Sequence, residues 1–163
     1  MIAALKWVLI VAAVAAIAAV IAGQAGLLRG SAPDDLGVRD GKLKRPSKTP
    51  NSVSSQADAW PDHPQQAYAR IAPLALREDG PATIARLAAL CQGLPGATVV
   101  SSKPDYLYVQ FQTPWLKFVD DAEFWYDPAA KVVQVRSASR IGRKDFGVNR
   151  ARVESMRSRL KAG

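Results

Sequence analysis

The chain has 163 residues, 48% of them hydrophobic, and carries 22 Lys and Arg against 14 Asp and Glu, for a net charge of +8. Its single Cys excludes an intrachain disulfide framework, and its single His all but excludes metal centres built from several His or Cys and catalytic sets pairing His with Ser or Cys. Nothing in this inventory calls for a cofactor or a metal, and the foldable part is sized for one modest domain.

Trp7 to Ala22 reads WVLIVAAVAAIAAVIA, without a polar residue. At about 1.5 Å per residue, the 21 residues from Ile2 to Ala22 reach about 31 Å, the thickness of a hydrocarbon core, with Lys6 snorkelling to the headgroups and Trp7 near the interface. Residues 1–28 are therefore read as a single-pass membrane anchor. The rival is a secretory leader leaving at Ala22-Gly23-Gln24-Ala25, for which the apolar centre is long. The basic residues from Arg29 to Lys48 are interspersed with Asp34, Asp35 and Asp40, and long domains translocate largely regardless of charge. The expected location is a membrane, with the domain on the extracytoplasmic, periplasmic side.

Residues 29–64 hold Pro33, Pro46, Pro50, Pro61 and Pro64 among Ser, Asp, Lys and Gly. Such a segment buries too little apolar surface to order alone, so it is a tether or an extended arm. Leu36, Val38, Leu43 and Val53 are spaced as pegs for docking on the domain. His63, between Asp62 and Pro64, reads as a solvent-exposed loop residue.

Residues 65–163 form the domain. Tyr68–Leu76 is a short amphipathic stretch broken at Pro73. Asp79-Gly80-Pro81 opens a helix that Gly93 closes, with Ile84, Leu87, Ala88 and Cys91 on one stripe; Cys91 reads as a small buried residue. Ala97–Ser101 with Tyr106–Thr113 forms the first β region, Phe118–Tyr126 the second and Lys131–Arg140 the third. A tight turn at Asp127-Pro128-Ala129-Ala130 sets Phe124 opposite Val133, Ala122 opposite Val135 and Asp121 opposite Arg136. A last helix starts at Asn149 as its N-cap, carries Val153, Met156 and Leu160 inward, and pairs Arg150 with Glu154. The fold class is α+β: an antiparallel sheet of three to four strands flanked by two main helices.

Residues 1–130 are electrically neutral, and the whole excess lies in residues 131–163, which hold 10 basic and two acidic groups. Arg150, Arg157 and Lys161 fall beside the apolar stripe of the last helix. A basic corner of this kind attracts anionic lipid or an acidic protein partner, or is a solvated face; nucleic acid is disfavoured by the anchor and by the lack of any recognition signature.

Several short patterns carry chemistry. Asp145-Phe146-Gly147 spells a kinase triplet in a chain far too short for a kinase. Asp120, Asp121, Glu123 and Asp145 form a structural charge cluster, with Asp121 and Glu123 sharing a strand face and Arg136 opposite. Trp115, in the loop after Pro114, is an aromatic at a ligand or membrane rim, or packs over the sheet end. Arg136 and Arg140 share a strand face, and Ser137 and Ser139 point the other way. With Asn149 and Arg150, these arginines make either a structural clasp or an anion-binding pocket at a helix start.

The run Val135-Arg136-Ser137-Ala138-Ser139-Arg140-Ile141-Gly142, continued by Asp145-Phe146-Gly147-Val148-Asn149-Arg150-Ala151-Arg152-Val153-Glu154 and preceded by Phe118–Phe124, resembles an uncharacterised bacterial and plastid family, domain of unknown function 1499. Pro50-Asn51-Ser52-Val53-Ser54-Ser55 and the Leu36–Leu43 stretch are similar to that family's amino-terminal segment, so the resemblance covers about residues 34–160. It implies envelope or thylakoid-type locations and no reaction. Relatives often carry two cysteines near the positions of Arg45 and Ser52; if those pair, this chain has dropped the bridge. The expected function is a membrane-tethered, non-catalytic binding or envelope protein. The alternative is a hydrolase-type enzyme using Asp121 or Glu123 with Arg136 and Arg140.

Overall fold

The computed structural model describes residues 2–162. Helix α1 (Ile2–Gln24) has 23 residues, mostly Ala, Val, Ile and Leu with Lys6 and Trp7 near its start; it is about 34 Å long, and its large apolar side chains from Leu5 to Ile17 are exposed. It is long and apolar enough to cross a membrane. Its last turn rests on the domain: a Cβ at Gly23 would lie 2.6 Å from the Leu116 carbonyl oxygen, and Gln24 Nε2 donates to the carbonyls of Pro114 and Trp115 at 3.3 and 3.0 Å.

The domain is an antiparallel sheet with helices on one face and an extended arm on the other. Strands β3 (Ala97–Ser102), β4 (Tyr106–Gln112), β5 (Val119–Asp127) and β6 (Val132–Ser139) follow one another as neighbours. Two short pieces, β1 (Ser52–Ser54) and β2 (Leu74–Ala75), both pair with the outer edge of β6. That makes six strands, above the three to four expected, because both edge pieces are too short for a periodic signal. Alternation sends Leu107, Val109, Phe111, Ala122, Phe124, Val133 and Val135 to one face. There α3 (Gly80–Gln92) adds Ile84, Leu87 and Cys91, and α4 (Val148–Ala162) adds Val153, Met156 and Leu160. Short α2 (Gln66–Ala69) leads from the arm into β2.

Helix α3 begins as its sequence dictates, with Asp79 accepting from Ala82 N–H at 2.7 Å and Pro81 in the first turn. The β5–β6 hairpin differs in register. Asp127 faces Val132, so Phe124 lies opposite Val135, Ala122 opposite Ser137 and Glu123 opposite Arg136. The loop is four residues, 128–131, because Lys131 takes a left-handed φ of +53° that a two-residue turn leaves out. The two-residue shift keeps every side chain on its expected face but exchanges Asp121 for Glu123 as the partner of Arg136.

Helix α4 differs at its start. Asn149 lies inside the helix, and Asp145 supplies the cap, accepting from Gly147 and Asn149 N–H at 3.1 Å each. Glu154 pairs with Arg157 rather than Arg150, whose Nη2 donates to the Tyr68 carbonyl at 2.5 Å.

Candidate functional site

The face of the sheet away from the helices carries Tyr106, Tyr108, Asp121, Glu123, Arg136 and Arg140, the composition of a solvated surface. It is nevertheless buried, with Glu123 0%, Asp121 1% and Arg136 3% exposed, because the arm lies across it. Of the four expected pegs, Leu43 and Val53 are buried, Leu36 is half-buried and Val38 stands out. Gly37, at φ +102°, turns its N–H onto Glu123 Oε1 at 2.7 Å, and Leu43 N–H donates to Gln56 Oε1 at 2.8 Å. Ser47 N–H donates to Ser52 Oγ at 2.8 Å, a non-covalent fastening of the arm to β1.

Beneath the arm the charges are paired unequally. Asp121 accepts from Arg140 Nε and Nη2 at 2.9 and 2.8 Å and from the Tyr108 hydroxyl at 2.5 Å. This bidentate ion pair holds the Arg140 guanidinium above its usual pKa. Glu123 accepts from Tyr106 at 2.8 Å, but its Oε2 lies 3.6 Å from Arg136 Nη1, and neither of those two atoms has a hydrogen-bond partner. Burial pushes the Glu123 carboxyl up and pulls the Arg136 guanidinium down, each against the attraction of the other.

Arg136 and Arg140 form the floor of a cleft of about 290 Å³ roofed by the arm residues Ser31, Lys44, Arg45, Ser47 and Lys48. Lys44 is bonded to Asp35, while Arg45 and Lys48 make no ion pair among the described residues. Of the five cations lining it, Arg140 is paired with Asp121 and Lys44 with Asp35, and Arg136 faces Glu123, which leaves Arg45 and Lys48 in excess. The volume is at the low end of ligand sites, roughly 300–1,000 Å³, and suits a small oxyanion.

Asn149 and Arg150 are not part of this cleft. Ser137 and Ser139 point through the sheet to the helix side, where Asn149 accepts from Ser137 at 2.6 Å and donates to Ser139 Oγ and Asn51 O at 3.1 Å each. Arg152 closes that network on Asn149, Ser137 and Asp120 at 2.6, 3.0 and 2.6 Å. Ser137, Asn149, Arg152 and Asp120 thus bond one another within the chain, so the helix side is a clasp and the arm side is the cationic cleft. Of the acidic cluster, Asp121 and Glu123 face the arm, Asp120 serves the clasp and Asp145 caps α4. The basic corner of α4 is largely spent internally: Arg157 donates to the Pro73 and Ala72 carbonyls at 2.6 and 2.7 Å, and Arg150 to Tyr68.

The cleft residues Lys44, Arg45 and Lys48 escaped sequence reading, since nothing local shows that an arm some 90 residues upstream folds over β6. His63 is half-buried rather than exposed: its Nδ1 accepts from Gln65 N–H at 3.2 Å. Cys91 is buried in the core, and burial pushes its thiol up to about 11.

No curated protein and no solved structure matches the chain. Residues 42–160, from the arm through the clasp to the end of α4, match the family described as protein of unknown function (DUF1499), and the chain belongs to that family.

Proposed function

We propose that the protein is a single-pass, membrane-tethered, non-catalytic anion-binding module of the cell envelope, with its site in the arm-roofed cleft. The observation carrying this reading is the convergence of Arg45, Lys48, Arg136 and Arg140 on one cleft, where Arg45 and Lys48 make no ion pair among the described residues. A bound oxyanion supplies acceptors there and offsets the like-charge repulsion. The seating of Gly23 and Gln24 on the 114–116 loop supports a retained anchor, because cleavage at the Ala22–Ala25 exit would discard those contacts. An extracytoplasmic domain is part of the proposal and is checked by protease accessibility in intact cells.

The hydrolase alternative has less support: Asp121 has its oxygens engaged by Arg140 and Tyr108, and Glu123 is sealed under Gly37. Inorganic phosphate tests the site. It is expected to raise the thermal midpoint of the full chain, and Arg45→Gln/Lys48→Gln, both exposed positions, is expected to abolish the rise without moving the midpoint in phosphate-free buffer. Equal shifts in both proteins, or none in either, refute the site.

A further inference from the structure

A second cleft, of about 670 Å³, opens between the 113–118 loop and the loop entering α4. Its walls are Phe118, Val119, Ile141, Phe146 and Val148, and Arg143 and Lys144 stand at its rim. Phe146 is 91% exposed and holds a left-handed φ of +53°, and Trp115 on the adjoining loop is 71% exposed. A left-handed conformation is uncommon for an aromatic residue, and a ring so exposed beside an exposed Trp forms an apolar patch on the surface.

The position of this cleft relative to α1 explains the pattern. Thr113, on one wall, precedes Pro114, whose carbonyl accepts from Gln24 at the end of α1. Ile141, on the other wall, lies against Gly30, where a Cβ would meet its Cγ2 at 2.7 Å. Both walls are thus tied to the chain just as it leaves the apolar helix. Arg143 and Lys144 are exposed and make no ion pair among the described residues. The neighbouring carboxylates are committed elsewhere, Asp120 to Arg152 and Asp145 to Tyr68 and the start of α4. The mouth is therefore cationic and the interior apolar.

We propose that this cleft holds an acyl chain of an anionic phospholipid from the leaflet in which α1 ends, with Arg143 and Lys144 against the phosphate and with Trp115 and Phe146 immersed beside it. It rests on the retained anchor for its orientation, and it is independent of the arm-side anion site.

The full chain, purified in neutral detergent, is examined by native mass spectrometry with phosphatidylglycerol or phosphatidylcholine added. One phosphatidylglycerol per chain is expected to persist. Val148→Glu, at a half-exposed position, should lower that occupancy at least tenfold with an unchanged thermal midpoint, and Arg143→Gln/Lys144→Gln should bind both lipids alike. In nanodiscs, a fluorophore on the Phe146→Cys variant should be quenched by lipids carrying a spin label near the headgroup. Equal occupancy in wild type and Val148→Glu, or a fluorophore quenched only by aqueous iodide, overturns the proposal. Release of the chain from native membranes by alkaline carbonate would instead defeat the anchor, and the mass-spectrometric comparison would still decide the cleft.

Discussion

Glu123 and Arg136 are the residues on which the arm-covered face depends. They face each other across β5 and β6, both buried, 3.6 Å apart and without a hydrogen bond between them. A buried pair of this kind adds little net stability, but removing one partner leaves an uncompensated charge. Arg136→Met should therefore destabilise the domain by about 3–5 kcal/mol at neutral pH, and Glu123→Leu/Arg136→Met should recover most of that loss in denaturant titrations. The penalty has a definite sign with pH. Burial already holds the Glu123 pKa above its ordinary 4.5, and loss of the guanidinium removes an attraction that lowers it, so the variant carboxyl takes up its proton at higher pH than that of wild type. The single variant should then approach wild-type stability on acidification. A cost that stays constant with pH would show that the unpaired Glu123 charge is not its source.

At the scale of the element, the start of α4 is set by Asp145, not by the good N-cap residue four positions later. Burial acts to raise the Asp145 pKa, but the Tyr68 hydroxyl and the N–H groups of Gly147 and Asn149 more than offset it, and the carboxyl sits below its ordinary 3.8. A depressed folded-state pKa contributes stability above the unfolded value and loses it as the pH falls through the folded one. Asp145→Asn should thus cost about 1 kcal/mol at neutral pH and flatten the fall in thermal midpoint as the pH drops below the ordinary carboxyl value of 3.8. An acid limb as steep as that of wild type would place the responsible carboxylate elsewhere. The same element shows why a local pattern misleads: Asn149 has the chemistry of a cap, but tertiary packing turns its side chain under β6 to hold Ser137 and Asn51.

Across the whole molecule, the arm converts a polar sheet face into an interior. Leu43 is its main apolar fastening, seated by the Gln56 contact to its backbone. Leu43→Ala should cost about 2–5 kcal/mol of arm docking. Trypsin should then cut after Lys42 and Lys44 well before the helices and sheet are digested, a difference visible in the mass of the first fragments. Simultaneous cleavage throughout the chain would mean that the arm is required for the fold itself. Helix α1 belongs to this scale too, since its last turn packs on the 114–116 loop of the domain.

Local chemistry was enough to identify the apolar helix, the Asp79-Gly80-Pro81 helix start, the strand alternation and the side of the sheet on which each of Arg136, Ser137, Ser139 and Arg140 lies. Those features depend on neighbours within a few positions, where periodicity, capping and dihedral preference act. Tertiary structure alone decided that the hairpin loop has four residues and that Glu123, not Asp121, meets Arg136. It also decided that Asn149 joins a clasp and that the cations opposite Arg140 come from an arm some 90 residues away. The reason is physical: burial and long-range charge pairing depend on which segment covers a surface, and a polar strand face reads alike in sequence whether water or an arm lies over it.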